Sequence, residues 1–290
     1  MKQIQNYLSL VKFSHTIFAL PFAAIGFIIG TKAMGNGILD WKLFGLVLIC
    51  MVTARNAAMA FNRWADRDID KLNPRTLIRE IPSGIIPSNH ALSFVIINSL
   101  VFLVAAYFIN WLCFLLAPIA LTIVLGYSYT KRFSWFCHVF LGLGLSLAPI
   151  GAYLAVTGHF HFLPILYSIA VICWVAGFDI IYALQDIHFD QEQHLYSIPA
   201  RFGMSKALLV SSCLHLVCAV SIVAGAWILH QEFGLNYLTY IGSTSFIVLL
   251  ILQHRIVSRG DLSKINLAFF TTNGIASVVL AVCTILDFYL

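Results

Sequence analysis

Nine runs of about twenty predominantly apolar residues follow one another along this chain, and they leave it little choice of fold. A segment surrounded by hydrocarbon has no water for its peptide groups, so it must satisfy its own backbone hydrogen bonds, as an α-helix does. The runs fall at 13–31, 43–61, 91–109, 112–130, 137–157, 163–184, 207–229, 236–253 and 265–288. The third and fourth are separated only by a short turn near Asn110–Trp111. The expectation is an all-α polytopic membrane protein of about nine transmembrane helices. Composition agrees, because 10% charged residues against 60% hydrophobic is far from the roughly 25% charge of soluble domains.

The N-terminal run has the outline of a signal peptide, with Lys2 and Lys12 ahead of it. It continues to Thr31 without a convincing cleavage site, so it is expected as the first transmembrane helix. Charge placement tests the count. With the N-terminus in the cytoplasm, fourteen of the 17 Lys and Arg residues lie on the cytoplasmic side. Lys32 and Lys42 lie on the other side, and Arg55 sits inside the second helix. Every cytoplasmic loop then obeys the positive-inside rule, a pattern that one miscounted helix would destroy. The net charge of +5 thus concerns orientation, and no basic run or aromatic–basic stripe points to nucleic acid. The seven cysteines lie in or beside apolar stretches without a CxxC and read as small buried hydrophobes. No soluble domain or linker interrupts the chain, which is expected to be one integral membrane domain over residues 1–290.

Against this apolar background stand two aspartate pairs, Asp66/Asp70 and Asp186/Asp190. Each has i, i+4 spacing, which places both carboxylates on one face of a helix. Both pairs follow even-numbered helices and so reach the cytoplasmic face. They are 120 positions apart, and each precedes a proline-containing loop, around Pro82 and Pro199, hinting at duplication of a helical unit. Four carboxylates at one membrane face repel one another unless cations intervene. Oxygen-only ligands of this kind suit magnesium, which leaves coordination positions for substrate phosphates.

Three constellations carry the chemistry. NRWADRDID sets Asn62, Asp66 and Asp70 at i, i+4, i+8, with Arg75 and Arg79 beyond them suited to phosphate oxygens. The bland reading is a solvated helix end whose acids and bases pair with each other, as Arg63, Arg67 and Asp68 are expected to do in part. GFDIIYALQDIHFD places Asp179, Tyr182, Asp186 and Asp190 three or four apart. Asp179 lies inside the apolar run, where it needs either a functional reason or a partner such as Arg55. YSYTKR places Tyr127 and Lys131 at i, i+4 at the cytoplasmic end of the fourth helix, where positive-inside charge and an aromatic belt would explain them equally well. His159 and His161 lie on the opposite side without carboxylate partners and read as loop residues.

Together these constellations resemble the UbiA superfamily of intramembrane aromatic prenyltransferases. The family pattern has N-D-x-x-D-x-x-x-D, then Y-x-x-x-K, then D-x-x-x-D. The matches here are Asn62, Asp66 and Asp70; Tyr127 and Lys131; and Asp186 and Asp190. Similarity runs from FALPFA in the first helix to NLAFFTTNG in the last. Arg63 departs from the pattern where many members have Asp. That variant resembles the bacterial branch described as 4-hydroxybenzoate polyprenyltransferase-like, which includes enzymes assigned to futalosine-type menaquinone synthesis.

The resemblance implies a helical bundle around a central cavity with polar cap loops on the cytoplasmic side of the cell inner membrane. It implies Mg2+ held by Asn62, Asp66, Asp70, Asp186 and Asp190 and bound to the diphosphate of a polyprenyl diphosphate. Lys131, Arg75, Arg79 and Tyr127 are the expected diphosphate-binding residues. Asp66, Asp70, Asp186, Asp190 and Lys131 form the expected catalytic set. Arg132, Asp179 and Tyr182 are the expected residues for a small aromatic acceptor, with Arg132 equally readable as an interfacial charge. The acceptor expected is 4-hydroxybenzoate, with a dihydroxynaphthoate of menaquinone biosynthesis as the alternative. A cation-coupled transporter is the competing class, but transporter carboxylates gather near the midplane on broken helices. Four of these lie at helix ends among bases.

Overall fold

The computed structural model describes residues 2–12, 18–35, 37–257, 265 and 267–290. It is all helical: α1 Lys2–Leu10, α2 Leu20–Ala33, α3 Trp41–Ala65, α4 Arg67–Leu72, α5 Ser88–Ile109, α6 Trp111–Thr130, α7 Cys137–Thr157, α8 Phe162–Ala183, α9 Ile187–Glu192, α10 Ile198–Phe233, α11 Tyr237–Val257 and α12 Asn273–Asp287. A single π-helical turn, Leu267–Thr272, leads into α12. Among the described residues, eight helices are long and apolar enough to cross a membrane, and α2 is a shorter apolar one. These are the nine expected spans. The first four residues of the first span, 13–16, and Ile17 lie outside the described residues.

Two features escaped the apolar count. Helix α1 precedes the first span, and α10 is much longer than the 207–229 run within it. The first part of α10 is a separate turn, because Gly203 (φ 76°, ψ 169°) breaks the helix in a conformation that other residues rarely adopt. Helices α7 and α10 both end on glycines in the left-handed region, Gly158 and Gly234, which supply the C-terminal caps.

The chain forms two compact units. The first comprises Met1–Thr16 and Leu39–Tyr129. Asp40 caps its first long helix by accepting from the Leu43 N–H at 2.9 Å. In this unit α3 packs along α5 through Ala57, Ala60, Ala91 and Val95, with Leu10 of α1 beside them. Three alanines at this seam let the backbones approach closely, which is how helices associate when no hydrophobic driving force separates lipid from protein. Asn56 Nδ2 donates to Asn98 Oδ1 across the same seam at 3.3 Å.

The second unit comprises Ile17–Ile38 and Thr130–Leu290. Helix α8 is its core and packs against α7 and α10. Trp174 is fully buried among Phe18, Phe22, Phe178 and Phe246, and its indole N–H donates to Asn273 Oδ1 at 2.9 Å. Exposed Ile96, Ile97, Leu100, Val104 and Phe108 on α5 of the first unit, and Leu216, Val220 and Trp227 on α10 of this one, are surfaces suited to lipid rather than water.

One glycine sets the spacing between α7 and α8. A Cβ on Gly142 of α7 would lie 2.5 Å from the Ile172 carbonyl oxygen of α8, so the two backbones meet there. Gly142→Leu should force the helices apart and destabilise the protein by about 1–3 kcal/mol, the usual cost of overpacking. Thermal unfolding in detergent checks this; an unchanged midpoint would show that the contact is dispensable.

Candidate active site

Each aspartate pair sits at a break in its helix, not on a continuous helix as the i, i+4 spacing predicts. In the first unit α3 ends at Asp66 (φ −91°, ψ 4°) and α4 restarts at Arg67. In the second unit the corresponding break falls at Asp186 (φ −107°, ψ 9°), before α9 starts at Ile187. Both values lie in the sparsely populated bridge region where many active-site residues sit. The breaks occupy equivalent positions, which strengthens the reading of a duplicated unit. The Asp70 N–H still donates to the Asp66 carbonyl at 2.7 Å, so the pair remains one turn apart despite the break.

In the first unit Asp66 and Asp70 are buried, at 2% and 4% exposure, deeper than a solvated helix end would allow. Asn62 Nδ2 donates to Asp66 Oδ2 at 3.2 Å, which leaves the amide oxygen of Asn62 as an acceptor. Asp70 is gripped by Arg79, whose Nη1 lies 2.8 Å from both carboxylate oxygens. Arg79 reaches back because the NPRT segment turns. Asn73 is extended ahead of Pro74, as residues before proline prefer, and its side chain accepts from the Arg75 N–H at 2.9 Å. Thr76 Oγ1 then donates to the Asp70 carbonyl at 3.1 Å. Arg79 therefore serves an internal pair, with 23% of its side chain exposed. Arg75 is exposed. Asp68 pairs with Arg67 and Lys71 at the surface, as the bland reading expects. Tyr127 lies in the last turn of α6.

Arg63 is buried at 5% exposure, and its Nε and Nη1 find no hydrogen-bond partner among the described residues. It lies within electrostatic reach of Asp70, Arg79, Glu80 and Tyr127. The departure from the family pattern thus places a cation inside this unit, not at its surface.

In the second unit Asp186 and Asp190 are half-buried. Ser197 Oγ donates to Asp190 Oδ2 at 2.8 Å, and Asp190 Oδ1 makes no hydrogen bond among the described residues. Asp190 lies within electrostatic reach of Asp186, Lys131 and His138. Lys131 follows the end of α6, and its carbonyl accepts from the Tyr196 N–H at 2.7 Å, which anchors it to the loop after α9. Arg132 is exposed. Tyr182 packs against Phe269, with ring centroids 4.4 Å apart and ring planes tilted by 37°.

Asp179 takes its partner from α7, where His138 Nδ1 approaches Asp179 Oδ2 at 2.7 Å. Sequence reasoning offered Arg55 for that role and passed over His138. The only available signal was a histidine in the first turn of a span, which helix-end statistics make unremarkable. Ser197 was likewise missed, because a helix N-cap serine looks the same whether or not it also holds a carboxylate.

The donor chemistry of both motifs is oxygen-only, which fits a hard divalent cation. Among the described residues, no three His, Cys, Asp or Glu side chains gather at metal-ligand spacing. Such an ion would therefore draw part of its shell from outside these side chains, as magnesium does with phosphates and water.

Residues 19–275 match the model of the UbiA prenyltransferase family. A 4-hydroxybenzoate octaprenyltransferase of Vesicomyosocius okutanii is 30% identical over 175 residues, covering 60% of this chain and 64% of that protein. One of Shewanella baltica (strain OS155) is 27% identical over 218 residues, covering 74% of this chain and 76% of its own. The chain thus spans less than two thirds of the length of the first of these relatives. Among solved structures, the apo structure of a UbiA homologue from Aeropyrum pernix K1 has a TM-score of 0.83 and 31% identity, covering 94% of this chain and 98% of that one. A UbiA homologue from Archaeoglobus fulgidus bound to GPP and Mg2+ shares the fold at TM-score 0.74 and 24% identity, covering 98% of this chain and all of that one. A polytopic helical fold, two helix breaks bearing aspartates and a family match over most of the chain lead to one conclusion: this chain belongs to the UbiA prenyltransferase family.

Proposed function

We propose that this protein transfers a polyprenyl group from a polyprenyl diphosphate to a small aromatic acceptor, with magnesium as cofactor, in respiratory quinone biosynthesis. The favoured acceptor is 4-hydroxybenzoate, supported by the names of the relatives; a dihydroxynaphthoate of menaquinone biosynthesis is the second reading. The observation that carries the reaction class is the repeated device at the two helix breaks. Each presents one aspartate at the break and a second held by a side chain of its own cap loop, Arg79 for Asp70 and Ser197 for Asp190.

Asn62, Asp66 and Asp70 in the first unit, and Asp186 and Asp190 in the second, are the residues that would hold Mg2+. The ion, when bound, neutralises the charge that develops on the departing diphosphate. Arg75 and Arg79 of the first unit and Lys131 of the second are the cations assigned to diphosphate oxygens, with Tyr127 as a further donor. The C–O bond to the diphosphate breaks, the allylic carbon bonds to the ring, and the ring loses a proton. Asp179 and Tyr182 orient the acceptor, and Arg132 receives its carboxylate. Asp179 Oδ1, which makes no hydrogen bond among the described residues, is the acceptor oxygen available for that task. Water would capture the allylic cation, so the apolar helices around the site serve the chemistry as well as the membrane. The protein acts as one domain, residues 1–290, in the cell inner membrane, with the site toward the cytoplasm.

The test is prenyl transfer in nanodiscs with Mg2+, geranyl diphosphate and, in parallel, 4-hydroxybenzoate or 1,4-dihydroxy-2-naphthoate, read by mass spectrometry. A prenylated arene that disappears in chelator and returns with Mg2+ is expected. Turnover undiminished in chelator would refute the metal role. No product from folded protein with either acceptor would refute this acceptor class and favour the transporter reading.

A further inference from the structure

Resting on the reading of Asp179 as an acceptor-binding residue, we propose that His138 is a positioning residue that fixes Asp179 and ties it to the loop holding Asp190. His138 is 3% exposed, in the first turn of α7, and both ring nitrogens are engaged. Nδ1 lies 2.7 Å from Asp179 Oδ2, and the Ile198 N–H donates to Nε2 at 3.4 Å. An ionised carboxylate only accepts, so Nδ1 carries a proton and donates it to Asp179.

Ile198 opens α10, and its N–H is one of the donors that a helix start leaves without an intrahelical partner. The imidazole supplies that partner. The preceding residue, Ser197, accepts from the Ala200 N–H at 3.2 Å and donates to Asp190 Oδ2 at 2.8 Å. One peptide unit, Ser197–Ile198, therefore connects the two carboxylates: Asp190 through a hydroxyl and Asp179 through an imidazole. The α7–α8 contact at Gly142 and Ile172, one turn further into the pair, holds the two helices close enough for the first link.

A histidine used only as core filling would not need both nitrogens matched, nor a carboxylate that keeps its second oxygen open. Asp179 retains 23% side-chain exposure with Oδ1 unbonded among the described residues, while Oδ2 is immobilised. That is the arrangement of a carboxylate aimed by one oxygen and working with the other. The relay also predicts a division of labour: His138 serves the acceptor, and Ser197 serves the diphosphate motif.

The experiment compares His138→Phe, His138→Gln, His138→Asn, Ser197→Ala and Asp179→Asn, with geranyl diphosphate and whichever arene is prenylated by the wild type. His138→Phe should raise the acceptor KM about 10- to 100-fold, the range for losing a residue that orients a functional side chain. The diphosphate KM should stay near wild type. His138→Asn, whose amide reaches the Nδ1 position, should restore most of the acceptor KM. His138→Gln, whose amide reaches the Nε2 position instead, should fold yet remain impaired. Ser197→Ala should shift the diphosphate KM and leave the acceptor KM alone. In 15N-histidine-labelled protein, the resonances lost in His138→Asn should be those of a ring protonated at Nδ1.

A raised acceptor KM in Asp179→Asn together with wild-type values in His138→Phe and His138→Gln would overturn the proposal while sparing the role of Asp179. A wild-type acceptor KM in Asp179→Asn would remove the role of Asp179, and the proposal with it. A ring without a proton on Nδ1 would overturn the relay independently of any activity.

Discussion

Replacing Asp66 or Asp186 by alanine is expected to abolish turnover, by at least about 10³-fold, while the protein still inserts and folds. Each carboxylate stands at a helix break, and alanine keeps the backbone hydrogen bonds there, such as the Asp66 N–H to the Asn62 carbonyl at 2.9 Å. On the proposed function, what disappears is an oxygen ligand of the Mg2+ that would neutralise the departing diphosphate. Removal of a single electrostatic stabiliser of this kind costs about 10²- to 10³-fold, and a weakened metal adds to it. Single-turnover assays with saturating Mg2+, alongside thermal unfolding, separate the two contributions. Wild-type turnover in either variant would remove that aspartate from the metal site.

Arg79→Met should act first on stability. Asp70 is 5% exposed at its side chain, and both oxygens depend on the same Arg79 nitrogen. Deleting one member of a fully buried pair costs about 3–5 kcal/mol, because the survivor is an uncompensated charge. Arg79 keeps 23% of its side chain exposed, so water softens the loss, and about 2–3 kcal/mol is expected. Combining it with Asp70→Asn should recover most of the stability, since the stranded charge is gone, without recovering turnover. Chemical unfolding of the single and double variants decides this. Equal stability of wild type and Arg79→Met would show that the pair is incidental and that Arg79 serves only a ligand.

How much of the site was legible in the sequence differs between its two halves. Asn62, Asp66, Asp70, Asp186 and Asp190 stand out because charge is rare in an apolar chain and because i, i+4 spacing is a local property. Asp179 was visible for the same reason, yet its partner was not. The link from His138 to Asp179 spans 41 positions, and the link from His138 to Ile198 spans 60, distances over which no periodicity carries information. Arg63 was visible as a departure from the pattern, but its burial was not. Nothing in the NRWAD segment distinguishes an arginine facing solvent from one facing inward.

The sequence alone determined the class of fold, the number of spans and the oxygen-rich helix ends. Each of these depends on short-range patterns: lengths of apolar runs set by the thickness of a bilayer, and charges whose cost in hydrocarbon makes them conspicuous. Three-dimensional packing sets the helix breaks at Asp66 and Asp186, the hold of Arg79 and Ser197 on Asp70 and Asp190, and the junction of α7, α8 and the start of α10 at His138. These outcomes depend on which helices meet and on how closely glycine and alanine let them approach. That is settled by packing between distant segments, and a single chain read residue by residue does not contain it.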